Sequence, residues 1–283
     1  MYADDTALVT SGPNLHILFE HIQSDLNSIN KWMSSNNFLI NVEKSKHIIF
    51  RHNKKTNLPN VNTVKLSLPI IHKNNCFLNI NCKCQQLEEV ESIKYLGLTI
   101  DNRLRWTPHI KNVTNKLIPS LILSYKLKNI IDCKTSTLIY HILIKPIFTY
   151  GIIFWGATFK PNNLLSLYKL IRKIQLNFCP APDKTIFSVE QLYLYNLCLF
   201  THLKNRPLIH DPPYQLRRKR NFTITKPTSE NNRHQFVYLS EKVYSSIPEE
   251  IREADDLKTF KKEINNLIAS NYINLLNFNL YKT

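Results

Sequence analysis

Near the start of the chain two adjacent carboxylates, Asp4 and Asp5, follow Tyr2 and Ala3 and precede Thr6. Paired acidic side chains on a strand-turn edge supply hard oxygen donors for Mg²⁺, which fills its remaining positions with water and phosphate oxygens. Nucleotidyl transfer uses that arrangement. Other chemistries find little support. Only four glycines are present, so no Gly-rich phosphate loop or GxGxxG turn exists. The ten histidines form no HExxH pair, and the serines form no GxSxG elbow. Cys82-Lys83-Cys84 lacks the CxxC spacing and the second pair of a zinc site, and the six cysteines read as reduced thiols.

The partners are suggested by charge. Thirty-seven Lys and Arg against 21 Asp and Glu leave the chain at +16, a surplus that favours a polyanion, nucleic acid before acidic membrane. The densest basic run is Arg217-Arg218-Lys219-Arg220, usable as a nucleic-acid arm or a nuclear-entry signal. The most membrane-like stretch, Leu138 to Trp155, contains His141, Lys145 and Pro146, which suits a buried helix and a turn better than a bilayer span. With no cationic, apolar leader at Met1, the expectation is a soluble, non-secreted protein of nucleus or cytoplasm.

The elements that must position these groups follow from periodicity. Leu15, Leu18, Phe19, Ile22, Leu26, Ile29 and Met33 repeat at three-and-four spacing, which predicts an amphipathic helix ended by Asn36-Asn37. Phe38 to Val42 and His47 to Phe50 read as short buried strands around the bend Asn41 to Ser45. Alternation over 64–82 predicts a hairpin, and Tyr95 to Asp101 belongs to a further strand pair in which Gly97 permits a bulge or a close approach. Thr107 as N-cap and Pro108 open a helix with Ile110, Val113, Leu117 and Leu121, kinked at Pro119. Further helices are expected at about 133–146, 162–178 and 188–204, near 234, and after Asp256. Trp155 and Tyr150 read as core residues rather than base-stacking ones.

The order of these features resembles the reverse transcriptases of non-LTR retrotransposons, especially the Jockey-like and CR1-like groups. The resemblance rests on Tyr2-Ala3-Asp4-Asp5-Thr6, a long helix, Leu39-x-Asn41-x-x-Lys44-Ser45-x-x-x-Ile49-Phe50, Lys94-Tyr95-Leu96-Gly97 and Trp106-x-x-His109-Ile110. It continues through Pro146-x-x-x-Tyr150-Gly151 and Trp155-Gly156 into Ile247-Pro248-x-x-Ile251-Arg252 and Thr259-Phe260-Lys261-Lys262. It implies that Asp4 and Asp5 bind catalytic Mg²⁺ and that Lys44 is a general acid for departing pyrophosphate. It implies that Tyr95, Leu96 and Gly97 form a primer grip. The following helices would be a thumb holding an RNA–DNA duplex by phosphate charge, with Lys111, Lys116, Lys126 and Lys128 as candidate contacts. An RNA template and a DNA primer are the implied partners.

The expected fold class is therefore α+β: a partial polymerase palm, an antiparallel sheet with a packed helix, followed by an all-helical thumb-like and C-terminal region. Its expected divisions are a palm over 1–104, a thumb-like region over 105–204, a basic linker over 205–232 and a C-terminal helical segment over 233–283. A two-metal site needs carboxylates from separate strands, and the family places another essential aspartate upstream of the paired ones. Neither Asp25, on the outer side of the long helix, nor Asp101, at a strand end, replaces it. The expectation is a chain that does not polymerise alone. The alternative is a non-catalytic basic nucleic-acid-binding protein.

Overall fold

The computed structural model describes residues 5–50, 70–71, 84, 86–157, 161–178, 186–205, 236–254, 256–270 and 272. Tyr2, Asp4, nearly all of the hairpin expected over 64–82, and the run Arg217 to Arg220 lie outside them. The fold is α+β: small two-stranded sheets with a helix, then an extended all-helical region. The chain divides into two compact units, Met1–Leu104 and Arg105–Thr283.

In the first unit, α1 (Leu15–Ser35) begins where the Asn14 side chain accepts the Ile17 N–H at 2.9 Å. Its end explains a departure from the sequence reading. Asn37 takes the left-handed conformation at φ 60°, the Asn37 N–H bonds the Ser34 carbonyl and the Phe38 N–H bonds the Met33 carbonyl. This is a Schellman motif with asparagine in the place usual for glycine. Phe38 is committed to closing the helix, so no strand forms over Phe38 to Val42, and Phe38 and Leu39 stand 58% and 87% exposed.

Strand β1 is only Lys46–His47, paired in parallel with β2 (Glu88–Glu89) and tied by an ion pair between Lys46 and Glu88. The expected strand His47 to Phe50 thus begins one residue early and stops after His47. Strands β3 (Ser92–Tyr95) and β4 (Leu98–Asp101) form an antiparallel hairpin with Tyr95 opposite Leu98. The Gln23 carboxamide on α1 clamps the extended chain at Ile70: its Nε2 donates to the Ile70 carbonyl and its Oε1 accepts the Ile70 N–H, each at 2.8 Å. It thereby satisfies both polar groups of one backbone unit. Phe19, Ile49, Ile71 and Leu87 are this unit's buried apolar residues among those described.

The second unit is helical. Its first helix, α2 (Thr107–Leu127), starts one residue earlier than expected: Trp106, left-handed at φ 58°, is the cap residue, and Thr107 is already helical. The helix runs through Pro119 and buries Ile110, Val113 and Leu117. It is followed by α3 (Cys133–Ile139), a π turn (Tyr140–Ile144) and α4 (Lys145–Thr149). Pro146 offers no N–H to the ladder and its ring crowds the preceding turn, which accounts for the wider turn just before it. The short α5 (Ile152–Trp155) then leads to α6 (Pro161–Phe178) and α7 (Val189–Asn205). The remaining helices are α8 (Phe236–Ser245), α9 (Glu249–Arg252) and α10 (Leu257–Ala269), the last capped by Asp256 accepting the Thr259 N–H.

Helix α2 packs on α6, while α8 and α10 pack on α7. Their interfaces are apolar with a few satisfied polar pins. Asn177 donates to the Ser124 hydroxyl at 3.0 Å, and Gln175 donates to the Tyr140 hydroxyl at 2.8 Å and the Phe187 carbonyl at 3.0 Å. His202 meets the Tyr244 hydroxyl at 3.1 Å and stacks on Phe260 with ring centroids 3.7 Å apart. Trp155 is fully buried and donates to the Tyr150 carbonyl, as a core residue should, but Tyr150 itself is 56% exposed. The left-handed Gly151 turns the chain there, so the two aromatics face different surroundings. At Gly156 a methyl group would meet the Tyr193 ring at 2.4 Å and the Ile152 carbonyl at 2.7 Å, so glycine is required by the close approach of α7.

His109 is buried between Trp106 and Trp155, and loss of solvent pushes its imidazole below the ordinary value, with Lys116 adding to the effect. A histidine held neutral by folding binds its proton more readily in the unfolded chain. Its contribution is fully present above the unfolded value of about 6.5 and is lost as pH falls below it. Urea unfolding of the second unit, followed by tryptophan fluorescence, should therefore show stability declining from pH 7 to pH 5. His109→Gln should flatten that decline.

Candidate functional site

The catalytic group expected at the start of the chain is described only in part. Asp5 forms an isolated bridge and is exposed. Asp25 is also exposed and accepts the Thr10 hydroxyl at 3.5 Å. Asp101, at the end of β4, is buried and its carboxylate accepts the Arg103 N–H at 3.1 Å, closing the turn after the hairpin. Among the described residues, no three His, Cys, Asp or Glu side chains stand together as metal ligands. The described donors alone do not fit a magnesium site, because one exposed carboxylate cannot replace several preorganised oxygens. Lys44 is exposed on the turn after Asn41, where its backbone N–H donates to the Asn41 side chain.

The Tyr95-Leu96-Gly97 segment has a defined geometry. Leu96 and Gly97 are the two central residues of a tight hairpin turn, at φ 44° and φ 80°. Two consecutive positive φ values define the hairpin turn whose twist matches its strands. Glycine reaches this region without cost. A leucine does not, since its Cβ crowds the following carbonyl. The sequence reading allowed a bulge or a close approach at Gly97, and the structure instead makes it half of the turn. A strained, half-buried leucine beside an exposed glycine marks this tip as a candidate contact.

In the helical unit, Lys111 and Lys116 are exposed on the first half of α2, among exposed Asn112 and Asn115. Lys126 and Lys128 are exposed near its end. Three cations escaped the sequence reading: Lys169, Arg172 and Lys173, all exposed on α6 at three-and-four spacing, which puts them on one face. A signal for them was available. Between Asn102 and Pro182 the chain carries twelve Lys and Arg and a single carboxylate, Asp132. That carboxylate caps α3, accepting the Lys134 N–H, the Thr135 N–H and the Thr135 hydroxyl, and these bonds, the Thr135 hydroxyl first, hold it below the usual carboxylate range.

The buried cysteine of α7 is no nucleophile. Burial pushes the Cys198 thiol up to about 12, leaving it protonated and unreactive. Lys145 is half-buried and loss of solvent lowers its value, but its place beside the π turn joins it to no acidic partner that perturbs it. What the described helices offer is exposed positive charge, suited to phosphate groups by Coulomb attraction.

The strain at Leu96 can be tested directly. Asparagine tolerates the left-handed region, so Leu96→Asn should stabilise the hairpin-bearing unit by about 1 kcal/mol in urea unfolding. If the leucine tip also touches nucleic acid, the same variant should bind an RNA–DNA duplex more weakly.

No protein-family model matches the chain, and no solved structure does. Two curated Drosophila melanogaster proteins are similar to it. The RNA-directed DNA polymerase from mobile element jockey is 26% identical over 166 residues, 57% of this chain and 16% of that protein. The probable RNA-directed DNA polymerase from transposon BS is 26% identical over 164 residues, again 57% of this chain and 16% of its own length. The chain thus spans well under a quarter of the relatives it matches, and its relationship is a distant one to retrotransposon reverse transcriptases of this kind.

Proposed function

We propose that the chain is the palm and thumb portion of a retroelement RNA-directed DNA polymerase. On this reading residues 1–104 are palm, 105–204 thumb-like, 205–232 a basic linker and 233–283 a C-terminal helical segment. The observation that carries it is the similarity of more than half the chain to two such polymerases, together with the order of motifs from Tyr2-Ala3-Asp4-Asp5 to Tyr95-Leu96-Gly97. Asp4 and Asp5 are assigned to Mg²⁺, and Lys44 to protonation of the leaving pyrophosphate. Because two-metal sites draw carboxylates from separate strands, we assign the remaining ligand to another segment, and the isolated chain is not expected to extend a primer. Tyr95, Leu96 and Gly97 are assigned to the primer strand. Lys111 and Lys116, with Arg217, Arg218, Lys219 and Arg220, are assigned to phosphates of an RNA–DNA duplex.

The second reading is a non-catalytic, basic nucleic-acid-binding protein descended from such an element. It is favoured by the long stretch with a single carboxylate, a feature that serves phosphate binding and adds nothing to metal binding. Coding DNA upstream of Met1 separates the two. A frame continuing into an aspartate-bearing strand favours the polymerase, and a stop favours the binding protein.

Both readings can fail in one set of assays. The purified chain should incorporate no deoxynucleotides on a primed RNA template with Mg²⁺. Its affinity for an RNA–DNA duplex should fall steeply with salt, with Lys111→Ala and Lys116→Ala together reducing the log–log slope by about 2. Asp5→Asn should leave that slope unchanged. Primer extension abolished by Asp4→Ala would refute the inactive part of the proposal, and a flat salt dependence would refute nucleic-acid binding.

A further inference from the structure

The two halves of α2 expose different chemistry. The outward residues of the first half are polar: Lys111, Asn112, Asn115 and Lys116. In the second half Ile118, Ile122 and Tyr125 are 45%, 53% and 60% exposed, on a face about 100° round the helix from the buried Ile110, Val113, Leu117 and Ser124. Their spacing of four and then three aligns them in one stripe about 10 Å long. Single exposed apolar residues are ordinary, but an aligned stripe with branched aliphatic members at this spacing matches the seam that a partner helix fills.

Charge narrows the occupant. Exposed Lys126 and Lys128 stand at the end of the stripe. Helix α2 contains no carboxylate. A second copy of the chain would bring the same cations to the same seam and be repelled. A nucleic acid would satisfy the lysines and could stack one base on Tyr125, but the two isoleucines that make up the rest of the stripe offer its bases no ring. A helix with an apolar face flanked by glutamate or aspartate satisfies both the stripe and its border.

We propose that the second half of α2 is a docking surface for an acidic amphipathic helix of a partner protein. The site is separate from the phosphate contacts assigned to Lys111 and Lys116 and does not depend on polymerase activity. The partner lays leucine- or isoleucine-type side chains along Ile118, Ile122 and Tyr125, and its carboxylates meet Lys126 and its neighbours.

The test uses the full chain and a fluorescein-labelled synthetic helix of about 18 residues, five turns, with leucines at three-and-four spacing and flanking glutamates. Anisotropy should report saturable binding. The double variant Ile118→Asp, Ile122→Asp should weaken it at least about tenfold, and Lys126→Glu about threefold. A peptide with lysines replacing the glutamates should not bind the unaltered chain, a control that does not depend on any variant folding. The proposal is overturned if the acidic peptide fails to bind, if the lysine peptide binds as well, or if the double variant binds unchanged. It is also overturned if a single-stranded oligonucleotide or phosphatidylserine vesicles displace the peptide from the unaltered chain, which would give the stripe to nucleic acid or lipid instead.

Discussion

Like charges gathered on one folded surface repel over distances of about 8 Å at physiological salt, and they are relieved by internal partners or by an external polyanion. From Asn102 to Pro182 internal relief is scarce, because twelve cations face one carboxylate and that carboxylate is already spent on a helix cap. Within this segment the described packing is apolar. Leu117, Phe148, Trp155, Leu167, Ile171 and Ile174 are buried, and the polar contacts inside are neutral ones such as Gln175 with Tyr140 and Asn177 with Ser124.

A metal imposes the opposite demand. Its ligands have to be negative and brought together before it arrives, which requires a scaffold that fixes several strands at once. The described carboxylates are dispersed: Asp5 on an isolated bridge, Asp25 on the outside of α1, Asp101 closing a turn. Phosphate binding needs only a field, so a surface of helices can supply it with far less geometric constraint. The two proposed roles thus make different physical demands.

Helices were the most legible elements because a core-facing stripe writes itself into the sequence. The stripes of α1, α2, α6 and α10 are visible as apolar residues three and four apart; the structure buries the central members in α2, α6 and α10, and in α1 buries Phe19. Caps were partly legible. Asn36-Asn37 ends α1 as its composition suggests, whereas the start of α2 is fixed by a left-handed Trp106 that no propensity announces. Strands were read poorly for a physical reason. Phe38 to Val42 has strand-forming composition, but a Schellman motif claims its first residue, a local contact that alternation cannot reveal. At Tyr95-Leu96-Gly97 the glycine suggests a bulge or close approach, and the structure makes it half of a tight turn shared with a left-handed leucine that no propensity announces. The cation cluster on α6 was missed because charge was counted over the whole chain instead of along it.

The separation of field from cage is the central claim. It is tested most directly by measuring affinity for an RNA–DNA duplex in EDTA and in Mg²⁺ at matched ionic strength. The account predicts binding in EDTA at least as tight as in Mg²⁺, since the ion only competes with lysines for phosphate. Binding that requires Mg²⁺ and disappears when Asp5 becomes asparagine would contradict it.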